Sequence, residues 1–495
     1  MRWASPAVRA AAVTSGLALA AQLVSVVVQL AFAALFGSSG ETDGYFAALA
    51  LPAFVVALFT ASVPVVLVPI LVEQRTIAGR EASDAAGGML VTLTTAVVGA
   101  LVVGAVVASD EVLAATAPGL SPSARISAAS VAPILWPSTI ALTLAALLAA
   151  GCQAESRFTW PAAAPLVGAT TNVLLLLVLG PVLGTTGAAV AWTASAVVQV
   201  LVLVPVIGRR WRPRLALDPA TREVIGSAWP LLGSAAFAQV NIVWERWLGS
   251  LLPVGQLSQL TYASRMVASV GTLVTTGPAV VLLPRLSEIA ASDRARLGSA
   301  IGRGLRSLWL VAAPLGTLTF VLADPLVETL FQRGAFTRDD AAAVATMLRL
   351  YDAGLVFGIL SVVTSRGLFA IRRSRVVAAM GTVEGLAYMG YTAWLSSVLG
   401  AAGIALGFVA FYGISLVWQL AYLRRMTGSF GPISPLAAAG AAAVVAALVA
   451  SGVTLVTRGP FLSLALASGA GLAAYAAALA VWRGTTIRRS SQPSA

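Results

Sequence analysis

The chain contains no histidine and no lysine, and its only cysteine among 495 residues is Cys152. Without imidazole there is neither a histidine proton relay nor a histidine metal site. One thiol cannot close an internal disulfide. Charge is scarce as well: 10% of the residues are charged, against about a quarter in soluble domains. There is no GxxxxGK[ST] phosphate loop, no HExxH and no CxxC, and no polar stretch large enough for a nucleotide fold. The chain therefore cannot hydrolyse ATP by itself. Any energy it uses comes from a coupling ion, the membrane potential or a partner, and no cofactor and no metal are expected. Its outer polar stretches lack the acidic or metal-binding residues a membrane-embedded transferase would need, so it does not read as an enzyme.

Apolar sequence is what abounds. Hydrophobic residues make up 59% of the chain and the mean hydropathy is +0.91, and they come in blocks of the roughly 20 residues that a membrane-spanning helix needs. Fourteen such blocks can be drawn: 11–36, 46–72, 88–109, 131–151, 161–183, 187–207, 227–252, 266–287, 306–326, 343–370, 376–397, 402–422, 433–456 and 461–482. The expected class is an all-α polytopic membrane protein with 14 transmembrane helices. The first block follows Arg2 and Arg9, as a signal peptide would. It is too long for one, and reads as a retained helix.

All 31 basic residues are arginine. With a cytoplasmic N-terminus, 23 of them fall at inner connections and five, Arg125, Arg333, Arg338, Arg349 and Arg458, at outer ones. That asymmetry is the positive-inside pattern. It places both termini in the cytoplasm and assigns the net charge of +12 to an anionic leaflet, not to nucleic acid.

The chain also repeats itself. "LVPILVE" (Leu67 to Glu73) returns as "LLPRLSE" (Leu282 to Glu288). "VLGTTGAAVA" (Val182 to Ala191) returns as "VLGAAGIALG" (Val398 to Gly407). The step from Leu67 to Leu282 and the step from Val182 to Val398 are almost the same, so the two matches share an offset. A unit of six spans is even, so both copies cross the membrane in the same sense, as parallel repeats do. The expected organisation is two six-helix lobes, 1–215 and 216–426, with two further helices and a tail in 427–495. Two lobes rocking about a midplane cleft is the plan of an alternating-access transporter. A static scaffold built by duplication is the plain alternative.

Three arginines, Arg246, Arg265 and Arg366, lie inside expected spans. A charge at a helix centre costs about 2.5–3.5 kcal/mol, so such residues are paired, cavity-facing or near an interface. On span 7, Gln239 and Arg246 are seven apart and share one face, while Asn241 and Glu245 are four apart and share another. Either these stripes border a wet cleft, or Arg246 snorkels to the outer interface. Arg265 sits in "LTYASRMV" at the start of span 8, and Arg366 reads as snorkelling at the inner end of span 10. Asp43, in "ETDGYF" at the outer mouth of spans 1 and 2, has a plain alternative as the cap of span 2. Asp352 lies near an outer end. Glu384 is deeper, either protonated or answering a charge on another helix.

The stretches "FGSSGETDGYFAALALP", "LVPILVE", "QVNIVWERWLGSLLPVGQLSQLTYASRM", "LLPRLSE" and "LFQRGAFT" resemble the MviN/MurJ family of lipid II flippases. These belong to the multidrug/oligosaccharidyl-lipid/polysaccharide exporter superfamily. The resemblance covers essentially the whole chain. It implies translocation of an undecaprenyl-pyrophosphate-linked peptidoglycan precursor across the bacterial plasma membrane. It further implies a cationic cavity, since guanidinium binds phosphate oxygens bidentately. The substrate-binding residues it implies are Arg246, Arg265, Glu245, Asp43, Gln22 and Gln239. Membrane lipids and cell-wall synthesis proteins are the other implied partners.

The chain departs from the family in its first half. Where members carry arginines in spans 1 and 2 it has Gln22, Val28 and Val56, and Gln29 stands where an acid is common. A flippase for another polyprenyl-linked glycan and a non-transporting scaffold of the wall-synthesis machinery therefore stay open. A multidrug antiporter would put acids into the middle of spans 1 to 6, where there are none.

Overall fold

A computed structural model describes residues 6–214, 226, 236, 239–432 and 434–490. The expected lobe boundary at 215/216, and residues 227–235, 237 and 238 of span 7, lie outside the described residues. Among the described residues every ordered element is helical, and eleven helices are long and apolar enough to cross a membrane. The chain divides into two compact units, Met1–Ser258 and Gln259–Ala495.

The first unit holds α1 (Pro6–Phe36), α2 (Gly40–Ile77), α3 (Gly79–Val107), the short α4 (Ser109–Thr116), α5 (Pro122–Ala154), α6 (Thr159–Leu203) with a π-helical turn at Val204–Gly208, and α7 over 239–250. Local chemistry sets the starts. Ser39 and Thr42 form a reciprocal capping box on α2, and Ser121 caps α5 ahead of Pro122, a residue whose missing N–H is harmless in a first turn. Close packing needs small residues: a Cβ on Gly44 would run into the Ala124 carbonyl of α5, the kind of backbone approach by which helices associate in lipid. At the opposite end Trp211 is 4% exposed. Its ring occupies the space that side chains at Gly87 and Gly151 would need, closing a core that includes Leu71, Leu147, Cys152 and Ile207.

The second unit holds most of α8 (Gln256–Ser292), then α9 (Arg294–Val321), α10 (Ala323–Phe331), α11 (Arg338–Ala370), α12 (Ser374–Leu399), α13 (Ala401–Thr427), α14 (Ser434–Val456) and α15 (Pro460–Ser490). Thr337 and Asp340 form the capping box of α11. The last two helices belong to this unit: Ala442, Ala443, Ala446, Ala450 and Ala467 pack with Ala313 and Leu318 of α9. Pro314 of α9 has no N–H for the Leu310 carbonyl four residues back, and Tyr475 of α15 donates its hydroxyl to that oxygen at 2.9 Å.

The 50 residues from Thr159 to Gly208 would run about 75 Å as a straight helix, far beyond a hydrocarbon core of about 30 Å. They do not run straight. Gly184 takes φ 61°, ψ −143°, and the chain folds back so closely that a Cβ on Gly187 would strike the Leu179 carbonyl. Gly400, between α12 and α13, takes φ 59°, ψ −135°, and a Cβ on Gly403 would strike the Leu395 carbonyl. Gly184 and Gly400 are separated by the same interval as Gly187 and Gly403, and it is the step from Val182 to Val398 in the sequence repeat. The two non-glycine residues with positive φ among the described residues, Ser156 (58°) and Arg372 (56°), stand at the same offset.

Candidate functional site

α7 and α8 each carry polar groups expected of a binding site. On α7, Gln239, Asn241, Glu245 and Arg246 are all half-buried. Trp244 and Trp247 stack beside them, with centroids 5.2 Å apart and planes at 4°. Asn241 Oδ1 is buried with no hydrogen-bond partner among the described residues. Among those residues no ion pair takes up the Arg246 guanidinium, so its donors are available to an anion. Gln22 is half-buried on α1.

Asp43 is 5% exposed. The expectation that it caps its own helix is corrected: Ser39 does that. The Asp43 carboxylate instead accepts from the Gly255 N–H at 2.6 Å, the Ser258 N–H at 2.8 Å and the Ser258 hydroxyl at 2.6 Å. These donors stand at the start of α8, where the helix has no internal acceptors for its first N–H groups and its dipole also favours a negative charge. Thr42 adds its hydroxyl to Ser258 Oγ at 3.1 Å. Asp43 thereby fixes the N-terminus of the helix that carries Arg265 two turns further on.

Arg265 and Ser264 are half-buried in the second unit. The neighbouring Tyr262 is buried against Phe331 and Phe336, with centroids 5.8 and 5.6 Å away. Two of the motif stretches, "YASR" and "LFQRGAF", therefore meet in one aromatic cluster. Starting at Ser264, a cavity of about 480 Å³ lies among α8, α11 and α13. Its polar lining includes Thr272, Thr275, Ser361, Tyr412 and Gln419, hydroxyl and amide groups without a formal charge. Thr364 donates to Gln419 Oε1 at 2.5 Å, and Gln419 Nε2 donates to Ser415 at 2.8 Å, which holds the amide's orientation. Such a lining suits sugar hydroxyls and amides, while the guanidinium groups suit a phosphate.

Glu384 accepts from the indole N–H of Trp418 on α13, a neutral donor where a cation was one of the expected answers. Glu155, which the sequence reading passed over, is the hub of an ion network: Arg210 reaches it at 2.5 Å, Arg157 at 3.4 Å and Arg80 at 3.6 Å. The available signal was an acid standing alone among basic connections. Arg366 is half-buried, and its Nε has no partner among the described residues.

The eleven candidate spans, with the repeated glycine hairpins at Gly184 and Gly400, define a polytopic helical membrane protein. A solved lipid II flippase MurJ in an inward closed conformation superposes with a TM-score of 0.84 at 20% identity, covering 96% of this chain and 99% of that one. An inward-facing multidrug resistance MATE family transporter superposes at 0.69 with 13% identity, covering 84% and 98%. In sequence, the lipid II flippase MurJ of Burkholderia cenocepacia is 27% identical over 378 residues, 73% of each chain. The probable lipid II flippase MurJ of Vibrio cholerae is 27% identical over 465 residues, 87% of this chain and 86% of that one. The chain belongs to the lipid II flippase MurJ family, whose model matches residues 32–468.

Proposed function

We propose that this protein translocates the undecaprenyl-pyrophosphate-linked peptidoglycan precursor lipid II across the bacterial plasma membrane by alternating access. Family membership over residues 32–468 is the observation that carries the reading. In it the chain crosses the membrane fourteen times. The eleven clear spans are supplemented by α7, by α12 and by the fold at Gly184, which makes two spans of α6. Both termini are cytoplasmic, and the two six-helix lobes are parallel repeats. The offset that the glycine hairpins share with the sequence repeat supports that duplication.

Arg246 and Arg265 receive the pyrophosphate, because a dianion entering a low-dielectric site needs hydrogen-bonded positive partners. Gln22 and Gln239 add neutral hydrogen bonds, and Glu245 completes the polar set. Asp43 acts through α8, holding the helix on which Arg265 is displayed. The uncharged cavity beginning at Ser264 takes the glycan part of the head group. The grip is one-sided, since span 1 offers Gln22 where relatives in the resemblance offer arginine. The energy comes from an ion gradient or the membrane potential.

The test uses purified protein in vesicles, offered lipid II or another polyprenyl-pyrophosphate glycan, with head-group exposure followed over time. Lipid II should be exposed on the far leaflet only when protein is present. Transport of the other glycan but not lipid II would reassign the substrate. Transport of neither, in vesicles where a known flippase works, would favour the scaffold reading.

A further inference from the structure

A second opening, of about 570 Å³, lies among α9, α11 and α14 in the second unit. Its walls are apolar, with Trp309, Phe320, Val356 and Val444 prominent. All three helices are long and apolar enough to cross a membrane. Phe320 and Val444 are 52% and 55% exposed, so on a membrane-spanning unit the groove is entered from lipid.

One group contradicts that lining. Asp352 is on the groove wall and 5% exposed, and its Oδ1 has no hydrogen-bond partner among the described residues. Across from it, α9 presents Gly316, where a Cβ would sit 3.4 Å from Asp352 Oδ2. The lining residues of α14 are Gly440, Ala443, Val444 and Ala447, which bring no side-chain donor. The other charged residue of the lining is Arg349, one turn earlier on α11. Its guanidinium binds Asp324 and donates from Nε to the Phe320 carbonyl at 3.2 Å. Packing alone gives no reason for an acid here, since a leucine or asparagine would fill the same place at lower cost.

We propose that this groove binds a phospholipid with a primary amine in its head group, the ammonium on Asp352 and the phosphate on Arg349. Spacing supports it. Side chains three apart on a helix have Cβ atoms about 5–6 Å apart, a span that a phosphate and the amine of the same head group can bridge. Arg349 has donors to spare, since a guanidinium carries five N–H groups and the structure commits it to two partners. The apolar remainder of the groove accepts the acyl chain.

The chemistry distinguishes head groups. A primary ammonium donates hydrogen bonds to a carboxylate, a trimethylated choline cannot, and a glycerol head has no cation. The full chain is purified in micelles containing equal amounts of ethanolamine, choline and glycerol phospholipids, and retained lipid is counted by native mass spectrometry. The ethanolamine lipid should be retained over the choline lipid by about tenfold, the worth of one charge-assisted hydrogen bond. Asp352→Asn should bring the ratio to parity. Val444→Trp, at a lipid-exposed position, fills the groove without touching the acid and should do the same. Equal retention of the three lipids by the unaltered protein overturns the proposal, as does a preference that survives either substitution.

Discussion

Replacing Asp43 by asparagine is the sharpest probe of how α8 is held. The carboxylate accepts three hydrogen bonds, two from backbone N–H groups and one from a hydroxyl. Bonds to a charged group contribute about 1.5–3 kcal/mol each, and an anion at a partly buried helix N-terminus adds up to about 2 kcal/mol. The three bonds share one carboxylate and do not sum. An amide keeps the shape but turns an N–H₂ group toward one of the donors, so the bonds on one oxygen and the charge are lost together. The expected cost is about 2–4 kcal/mol. Cys152 makes the assay direct, because it is the only thiol and is 0% exposed in the core of the same unit. A dye that fluoresces on reacting with thiols reports its exposure on heating. At about 2–4 °C per kcal/mol for a unit of this size, the midpoint should fall by about 4–16 °C. Glu41→Gln, which removes an exposed acid from the same first turn, should leave it unchanged. An Asp43→Asn protein that melts within about 1 °C of the parent refutes the reasoning, because the donors of α8 would then be satisfied without the carboxylate.

Three further outcomes are expected. Arg265→Ala should fail to support growth of cells depleted of their own flippase at matched membrane abundance, and Arg265→Lys should restore only part, because an ammonium lacks the planar fork; equal rescue by the alanine variant would make Arg265 an interfacial anchor. Gly184→Ala forces a side chain into a backbone region open essentially to glycine alone, so the thiol-exposure midpoint should fall by the equivalent of about 1–3 kcal/mol, whereas Gly99→Ala, with nothing within 4 Å of the added carbon, should not lower it. Trp211→Ala empties the space over Gly87 and Gly151 and should cost about 3–5 kcal/mol, read as Cys152 labelling at lower temperature; labelling no faster than in the parent would mean the ring is not what closes that core.

Eleven spans were legible because lipid imposes a length on apolar segments, and the internal repeat because Gly184 and Gly400 take the same backbone conformation that favours glycine. The charged positions of α7 and α8 could be found the same way, as polar residues where hydrocarbon should surround them. Their partners could not. Asp43 bonds to the backbone N–H groups of Gly255 and Ser258, far along the chain from it, and a backbone donor leaves no mark in the residue alphabet. Glu384 accepts from the Trp418 indole, and neutral donors are too common in a sequence to signal a pair. Asp352 showed itself as an acid near a helix end. That its neighbours on α9 and α14 offer it nothing depends on packing between helices distant in the chain.

The hydroxyl of Tyr475 on the Leu310 carbonyl has a consequence for biosynthesis. A carbonyl without a donor in hydrocarbon is costly, and here the donor lies 165 residues downstream, on the last helix. While the chain is being made, α9 can enter the membrane long before α15 has left the ribosome. The second unit therefore passes through a period in which α9 carries an unmet acceptor, and the arrival of α15 ends it. A truncated product stopping short of Tyr475 keeps that acceptor permanently. The C-terminal helices thus work as a fastener: their arrival completes a helix inserted far earlier, and their absence leaves a polar flaw that membrane proteases could read.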